Sequence, residues 1–233
     1  MTEYIYVLTA LEYLLDRVGE KHWRDWLRQD MGLWRSKKDV SHHLSAYGGM
    51  GSFNDIWISV QNKNNITKVQ EPWVNNLFDL LKCLCYQLAH NLEKDEANKK
   101  SMDSATSQFP KTKSQLYGWR CLKCGHAETN SCEIDNYLAK MVLPGYLGKA
   151  ETESELKALV DAAFTTEIEG INKIRSQLAQ TILNSGIKMV DRESWMRPCP
   201  TCGSDDTAVY RWQLNNNIFT ASKDNLPLKN ANT

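Results

Sequence analysis

The stretches Cys121-Leu122-Lys123-Cys124-Gly125 and Cys199-Pro200-Thr201-Cys202-Gly203 repeat one pattern, CxxCG, at two distant places in the chain. A tetrahedral Zn²⁺ ion takes four soft ligands at about 2.3 Å, and one tight turn with this spacing supplies two cysteine sulfurs. The glycine after each second cysteine suits a turn that ends in a conformation unfavourable for residues with a Cβ. Together the motifs predict one structural zinc ion per chain. Its predicted ligands are Cys121, Cys124, Cys199 and Cys202.

The spacing between the motifs predicts a domain with a long internal excursion. A single CxxC motif is also typical of a redox dithiol, but two matching motifs favour metal binding. They are separated by 74 residues, 125–198, whereas zinc sites of this type more often have about 15–20. Loop-closure entropy grows only logarithmically with length, so the excursion is tolerated if it folds. We therefore predict a zinc-ribbon-like domain over residues 117–214 with a helical insert at 133–190.

Composition narrows the class of protein. The chain has 233 residues and 42% hydrophobic content, enough for one large or two small domains. Lys plus Arg and Asp plus Glu both number 28, so net charge gives no reason to expect a membrane surface or nucleic acid. Seven cysteines with two CxxC pairs favour a reducing compartment. The first 17 residues lack the basic region of a secretion signal, and no apolar run is long enough to span a membrane. We expect a cytoplasmic protein.

The N-terminal part of the sequence predicts a helical domain over residues 1–95. Apolar residues recur at steps of three and four over 3–17, 20–34 and 72–93. The polar, irregular stretch 96–116 is typical of a linker, and residues 215–233 are typical of a flexible tail. The predicted fold class is therefore mainly α with a small antiparallel β part, α+β. Cys83 and Cys85 face different sides of the predicted third helix, which does not suggest metal ligands.

A glycine-rich stretch, Ser45–Asp55, connects two of these helices. It has three glycines in four residues, and Ser52 with Asp55 has the spacing of a helix capping box. The contexts that make a glycine-rich loop bind phosphate are absent, so we predict a structural turn. The preceding residues His42 and His43 point about 100° apart on a helix. They cannot bind one metal ion as an i, i+4 pair would, and we expect both to be partly exposed.

Two motifs in this region carry a resemblance. Trp23-Arg24-Asp25-Trp26-Leu27 has the form of a W-x-x-W-L helix, and Tyr47–Asp55 reads YGGMGSFND. Residues 10–60 thereby resemble a small bacterial domain family of unknown function, which combines that helix with a YGGMGS-[LF]-N-D turn. The resemblance implies a bacterial or phage context but no chemistry. It does not reach the cysteine motifs.

The sequence gives little indication of an enzyme. The hydrolase, zinc-protease, kinase and dinucleotide signatures are absent, and four thiolates leave zinc no open position for water. His126-Ala127-Glu128 and Pro198-Cys199-Pro200-Thr201-Cys202 match the two halves of a zinc-deaminase signature. That reading leaves the first CxxC motif unexplained, so a deaminase-like enzyme is a minor alternative. Replacement of a zinc ligand by His126 or Cys132 also stays open.

The leading prediction is a non-enzymatic zinc protein that acts as a protein-interaction module. The alternative is a nucleic-acid-binding zinc ribbon, in which aromatic side chains stack on bases and basic side chains contact phosphates. Its stacking residues would be Trp119, Tyr210 and Trp212, and its phosphate contacts Arg120, Lys123, Arg197 and Arg211. The segments 117–128 and 190–215 carry as many acidic as basic residues, which favours the protein partner.

Overall fold

The computed structural model describes residues 3–99, 115–165, 169–190, 198–216 and 218–221. The chain divides into two compact units, and each contains two separate parts of the sequence. Unit 1 comprises Met1–Pro110 and Leu143–Glu169, and unit 2 comprises Lys111–Val142 and Gly170–Thr233. Helices together with a five-stranded sheet confirm the predicted α+β class.

The helices are α1 (Glu3–Val18), α2 (Lys21–Lys37), α3 (Ser41–Ser45), α4 (Glu71–Lys99), α5 (Ser131–Met141), α6 (Leu143–Leu147), α7 (Glu153–Ala162) and α8 (Glu169–Asn184), with a 3-10 turn at Phe53–Asp55. The strands are β1 (Gln115–Cys121), β2 (Ala127–Asn130), β3 (Lys188–Val190), β4 (Thr207–Asn215) and β5 (Ile218–Ala221). None of the helices among the described residues combines the length and apolar content needed to cross a bilayer.

Helix α1 forms the centre of unit 1. Its apolar side chains are buried at three- and four-residue steps, and α2, α4 and α7 all contact it. The three helices predicted at 3–17, 20–34 and 72–93 are present, because broad apolar stripes determine which face is buried. Helix α4 continues to Lys99, beyond the predicted start of the linker. The rest of that predicted linker, apart from the first residues of β1, lies outside the described residues.

The predicted insert at 133–190 is divided between the units. Helices α6 and α7 belong to unit 1, where the Tyr6 hydroxyl donates a hydrogen bond of 2.7 Å to the Ala150 carbonyl. The Tyr13 hydroxyl and the Arg17 Nε donate to the Asp161 carboxylate at 2.9 and 2.8 Å. The periodicity of the sequence indicates that this stretch is helical. It does not indicate which surface the helices pack against.

A buried carboxylate joins α2 to α3. Asp30 is 1% exposed, and its two oxygens accept hydrogen bonds from Nδ1 of His42 at 2.5 Å and of His43 at 2.8 Å. Nε2 of His43 lies 3.1 Å from the Tyr47 hydroxyl. The expected partial exposure is wrong for His43, which is fully buried, whereas His42 is half-buried. The pattern of adjacent histidines does not show that a carboxylate one helix earlier would pair with both.

Removal of this carboxylate is expected to destabilise unit 1 strongly. Asp30→Ala removes the acceptor of two imidazole N–H groups, that of the buried His43 and that of the half-buried His42, and we expect it to lower the free energy of unfolding by about 3 kcal/mol or more. Asp25→Ala on the same helix is the control, since its carboxylate is mostly exposed and pairs with Arg24 at the surface. Urea unfolding of both variants tests this. Equal, small losses of stability would contradict the role given to Asp30.

The glycine-rich stretch is a structural turn, and hydrogen bonds fix its two ends. The predicted capping box forms: the Ser52 N–H donates to the Asp55 carboxylate at 3.0 Å, and the Asn54 N–H donates to the Ser52 hydroxyl at 3.3 Å. The Phe53 side chain is buried, and its N–H donates to the Ala46 carbonyl at 2.8 Å. Between these anchors the turn leaves the side chain of Met50 fully exposed.

Unit 2 contains one mixed sheet with the strand order β3-β2-β1-β4-β5. All pairs are antiparallel except β2 with β3, which is parallel. Part of the predicted tail, residues 218–221, forms β5, and its buried Phe219 pairs with Leu214. A four-residue strand with one buried aromatic residue is too short to show a pattern in the sequence. Residues 222–233 lie outside the described residues.

Candidate metal centre

The sheet of unit 2 brings the two cysteine motifs to one place. We call Cys121–Gly125 the first hook and Cys199–Gly203 the second hook. Strand β1 ends at Cys121, where the first hook begins, and β4 starts four residues after the second hook ends. The two strands pair antiparallel with Cys121 opposite Thr207. The end of β1 and the start of β4 therefore lie side by side, and so do the hooks.

The four cysteine sulfurs form a cluster that can hold a metal ion. Every pair of Sγ atoms lies within 4.8 Å. Cys121 is 3.6 Å from Cys202, and Cys124 is 3.6 Å from Cys199. Tetrahedral coordination with metal–sulfur bonds of about 2.3 Å requires sulfurs about 3.8 Å apart. The donor set therefore fits a closed tetrahedral site.

The two hooks have the same backbone hydrogen bonds. In each, the glycine N–H donates to the carbonyl of the first cysteine: Gly125 to Cys121 at 2.9 Å and Gly203 to Cys199 at 2.7 Å. The N–H of each first cysteine donates in turn to a carbonyl five residues later, at 2.8 and 2.9 Å. Both glycines have a positive φ, +76° and +67°. This conformation explains why glycine follows each second cysteine.

Hydrogen bonds and neighbouring thiols shift the sulfur pKa values in opposite directions. Although burial raises it, backbone N–H donors from Thr201 and Cys202, together with the thiols of Cys124 and Cys121, lower the pKa of Cys199 to about 6. The His126 N–H lowers the pKa of Cys124, but burial and the other three thiols raise it, with a net value of about 12. Adjacent thiolates repel one another. A bound divalent cation is what allows all four sulfurs to ionise together.

Two of the three predicted stacking residues of the nucleic-acid alternative are buried. Trp119 and Trp212 are only 4% and 3% exposed, and Trp119 packs in one cluster with Cys121 and Cys199. The prediction that these two rings could stack on bases is therefore wrong, because both rings are buried. Tyr210 is half-buried. Among the predicted phosphate contacts, Arg120, Lys123 and Arg211 are exposed, and Arg197 lies outside the described residues.

His126 lies next to the cysteine cluster, but its ring nitrogens have other partners. Nε2 is 2.6 Å from Oε1 of Glu128, and Nδ1 is 3.0 Å from Oγ1 of Thr201. The two residues that matched the first half of the deaminase signature are thus bonded to each other. Cys83 and Cys85 lie on α4 in unit 1, and the side chain of Cys132 is outside the described part of the structure.

Comparison with known proteins supports the resemblance noted in the N-terminal region. Residues 16–67 match a family described as a domain of unknown function (DUF6966). The match covers the last residues of α1, all of α2 and α3, and the glycine-rich turn. It includes Asp30 and its partners His42 and His43, but neither hook. Comparisons with curated proteins and with solved structures give no match. The family is itself one of unknown function, so the metal centre must be interpreted from its own geometry.

Proposed function

We propose that the two hooks bind one Zn²⁺ ion and that its role is structural. The observation that carries this proposal is the set of four sulfurs, all within 4.8 Å of one another and with two pairs 3.6 Å apart. Four thiolates leave no position for water or substrate, which distinguishes structural from catalytic zinc. Thiolate ligands in a tetrahedral set also suit an iron–sulfur centre. The paired CxxCG hooks with one site between them favour zinc.

Elemental analysis of the purified chain tests this proposal. We expect one zinc per chain, and Cys199→Ser should lose it because a cluster of three thiolates binds far more weakly. Cys83→Ser, which changes a cysteine of unit 1, should keep the full zinc content. Stoichiometric zinc in the Cys199→Ser variant would contradict the ligand assignment, and iron with visible absorption would contradict the choice of metal.

We further propose that the protein is a non-enzymatic module that binds another protein. Support comes from apolar side chains that unit 1 leaves in solvent, since such side chains are typical of contact surfaces. Met50 is fully exposed at the tip of the glycine-rich turn, and Trp57 is 56% exposed shortly after it. Hydrogen bonds at both ends of the turn fix its base, so Met50 is presented from a defined position.

Two pairs of substitutions separate a protein partner from nucleic acid. The natural chain should capture partner proteins from a nuclease-treated extract of the source cell. The double variant Met50→Ser and Trp57→Ser should no longer capture them. The double variant Arg120→Ser and Arg211→Ser, in unit 2, should retain them. Binding of a labelled single-stranded oligonucleotide that depends on Arg120 and Arg211 would instead support the nucleic-acid alternative.

A further inference from the structure

His126 contacts both hooks, although it does not belong to the cluster of four predicted metal ligands. Its backbone directly follows the first hook, and its carbonyl accepts a hydrogen bond from the Cys121 N–H at 2.8 Å. Its side chain reaches the second hook, where Nδ1 lies 3.0 Å from the Thr201 hydroxyl. Thr201 stands between the two cysteines of that hook. One residue therefore joins two parts of the chain that are far apart in sequence.

The direction of each hydrogen bond follows from Glu128. A carboxylate oxygen accepts, so Nε2 of His126 carries the hydrogen and donates to Glu128 over 2.6 Å. Nδ1 of the neutral ring is then an acceptor, and the Thr201 hydroxyl donates to it. The side chains of His126 and Glu128 are 8% and 4% exposed. A buried carboxylate thus fixes both the tautomer and the orientation of the ring.

The hydrogen bond between His126 and Thr201 joins the two hooks close to one pair of sulfurs. His126 follows Cys124 by two residues, and Thr201 follows Cys199 by two residues. The His126 ring and the Thr201 hydroxyl connect these two stretches of chain over 3.0 Å. The sulfurs of Cys124 and Cys199, which come from different hooks, lie 3.6 Å apart. The side-chain hydrogen bond therefore helps to hold together two sulfurs that would bind the same ion.

We propose that His126 is a positioning residue for the metal centre, with Glu128 orienting its ring and Thr201 as its partner on the second hook. The proposal rests on zinc binding by the four cysteines. We call the hydrogen bond between His126 and Thr201 the tether. It holds the second hook against the first, so the chain loses less conformational entropy when the ion binds. Partners of this kind around metal ligands typically contribute about 10- to 100-fold in metal affinity.

Removal of the tether should weaken zinc binding without removing a ligand. We expect Thr201→Val, which keeps the side-chain shape but lacks the hydroxyl, to raise the zinc dissociation constant about 10- to 100-fold. His126→Ala should have a similar effect. The double variant should bind zinc no more weakly than the weaker single variant, since both changes remove the same bond. Competition with a chromophoric chelator of known affinity measures the constants, and stopped-flow mixing with excess chelator measures zinc release.

Two further variants separate positioning from a general loss of stability. Thr201→Ser retains a hydroxyl and should restore affinity to near that of the natural chain. Thr181→Val is the matched control, because the Thr181 hydroxyl donates to the Gln177 carbonyl at an exposed position on α8 in the same unit. It should leave the dissociation constant unchanged. NMR of the His126 ring nitrogens should show hydrogen on Nε2 in the natural chain.

Each result distinguishes this proposal from the one on which it rests. If the natural chain binds no zinc, or Cys199→Ser binds it fully, the proposed metal site fails. If the natural chain binds zinc and Cys199→Ser does not, but Thr201→Val and His126→Ala both match Thr181→Val in affinity and release rate, the positioning role alone is overturned. Additive losses in the double variant would also overturn it, because they would show that the two side chains act separately.

Discussion

Removal of zinc from the intact chain is expected to unfold unit 2 while unit 1 keeps its structure. Structural zinc contributes roughly 10–16 kcal/mol in small domains at neutral pH, which is comparable to the whole stability of a typical domain. Hydrogen–deuterium exchange before and after strong chelation resolves the two units by peptide. Peptides from β1, β4 and α8 should lose protection. Peptides from α1, α4 and α7 should retain it.

The physical reason is that the metal centre joins the ends of the central strands. β1 and β4 are paired over seven residues, from Gln115 opposite Gln213 to Cys121 opposite Thr207. The hooks adjoin that pairing at its Cys121 end. Without the ion, four closely spaced sulfurs remain partly buried, and repulsion between any thiolates opposes the pairing. If unit 2 stayed protected after complete loss of zinc, the ion would not be needed for folding and a catalytic role would have to be reconsidered.

The second large effect is expected at Gly118, in the middle of β1. A Cβ at this position would lie 2.2 Å from the Glu128 carbonyl oxygen and 2.2 Å from Cζ3 of Trp212. The carbonyl belongs to the neighbouring strand β2, so it cannot move without disturbing the sheet. Overpacking of this kind costs about 1–3 kcal/mol, and more where backbone must shift. We expect Gly118→Ala to lower the stability of zinc-loaded unit 2 by about 3 kcal/mol or more.

Gly32→Ala is the matched control for this substitution. Gly32 lies within helix α2, and a Cβ there would meet nothing within 4 Å. The change should stabilise unit 1 by up to about 1 kcal/mol, because alanine favours the helix. Thermal unfolding followed by tryptophan fluorescence compares the two variants. Adding Trp212→Leu to Gly118→Ala should recover only part of the loss, since the clash with the carbonyl remains. Full recovery would show that the ring alone limits the space.

The parts of the fold that the sequence predicts are those that depend on local pattern. α1, α2 and α4 follow from apolar periodicity, and the grouping of the four cysteines follows from two identical hooks that need a common ligand. The capping box at Ser52 follows from spacing alone. The helices and the capping box depend on residues close together in sequence, and the distant hooks are recognisable because each has the same local spacing.

The parts that the sequence does not predict depend on distant contacts. The burial of His43 requires Asp30 on another helix, and the burial of Trp119 depends on how β1 is covered. Strands β2, β3 and β5 have only three or four residues each, too few to show alternation. The sequence does not indicate the role proposed for His126, because His126 and Glu128 also match half of an enzyme signature. A histidine between a CxxCG motif and a glutamate two residues on could have indicated a partner of the metal site.

Each unit contains two separate parts of the sequence, and this affects how the chain can fold during synthesis on the ribosome. Tyr13 and its partner Asp161 are 148 residues apart, and translation at about 5–20 residues per second separates their appearance by roughly 7–30 seconds. Helices α1, α2 and α4 can associate early, but α7 reaches them only after β1 has emerged without its partner β4. The nascent chain thus carries two incomplete units at once. An unpaired β1 edge during this interval is where misassociation or chaperone binding would begin.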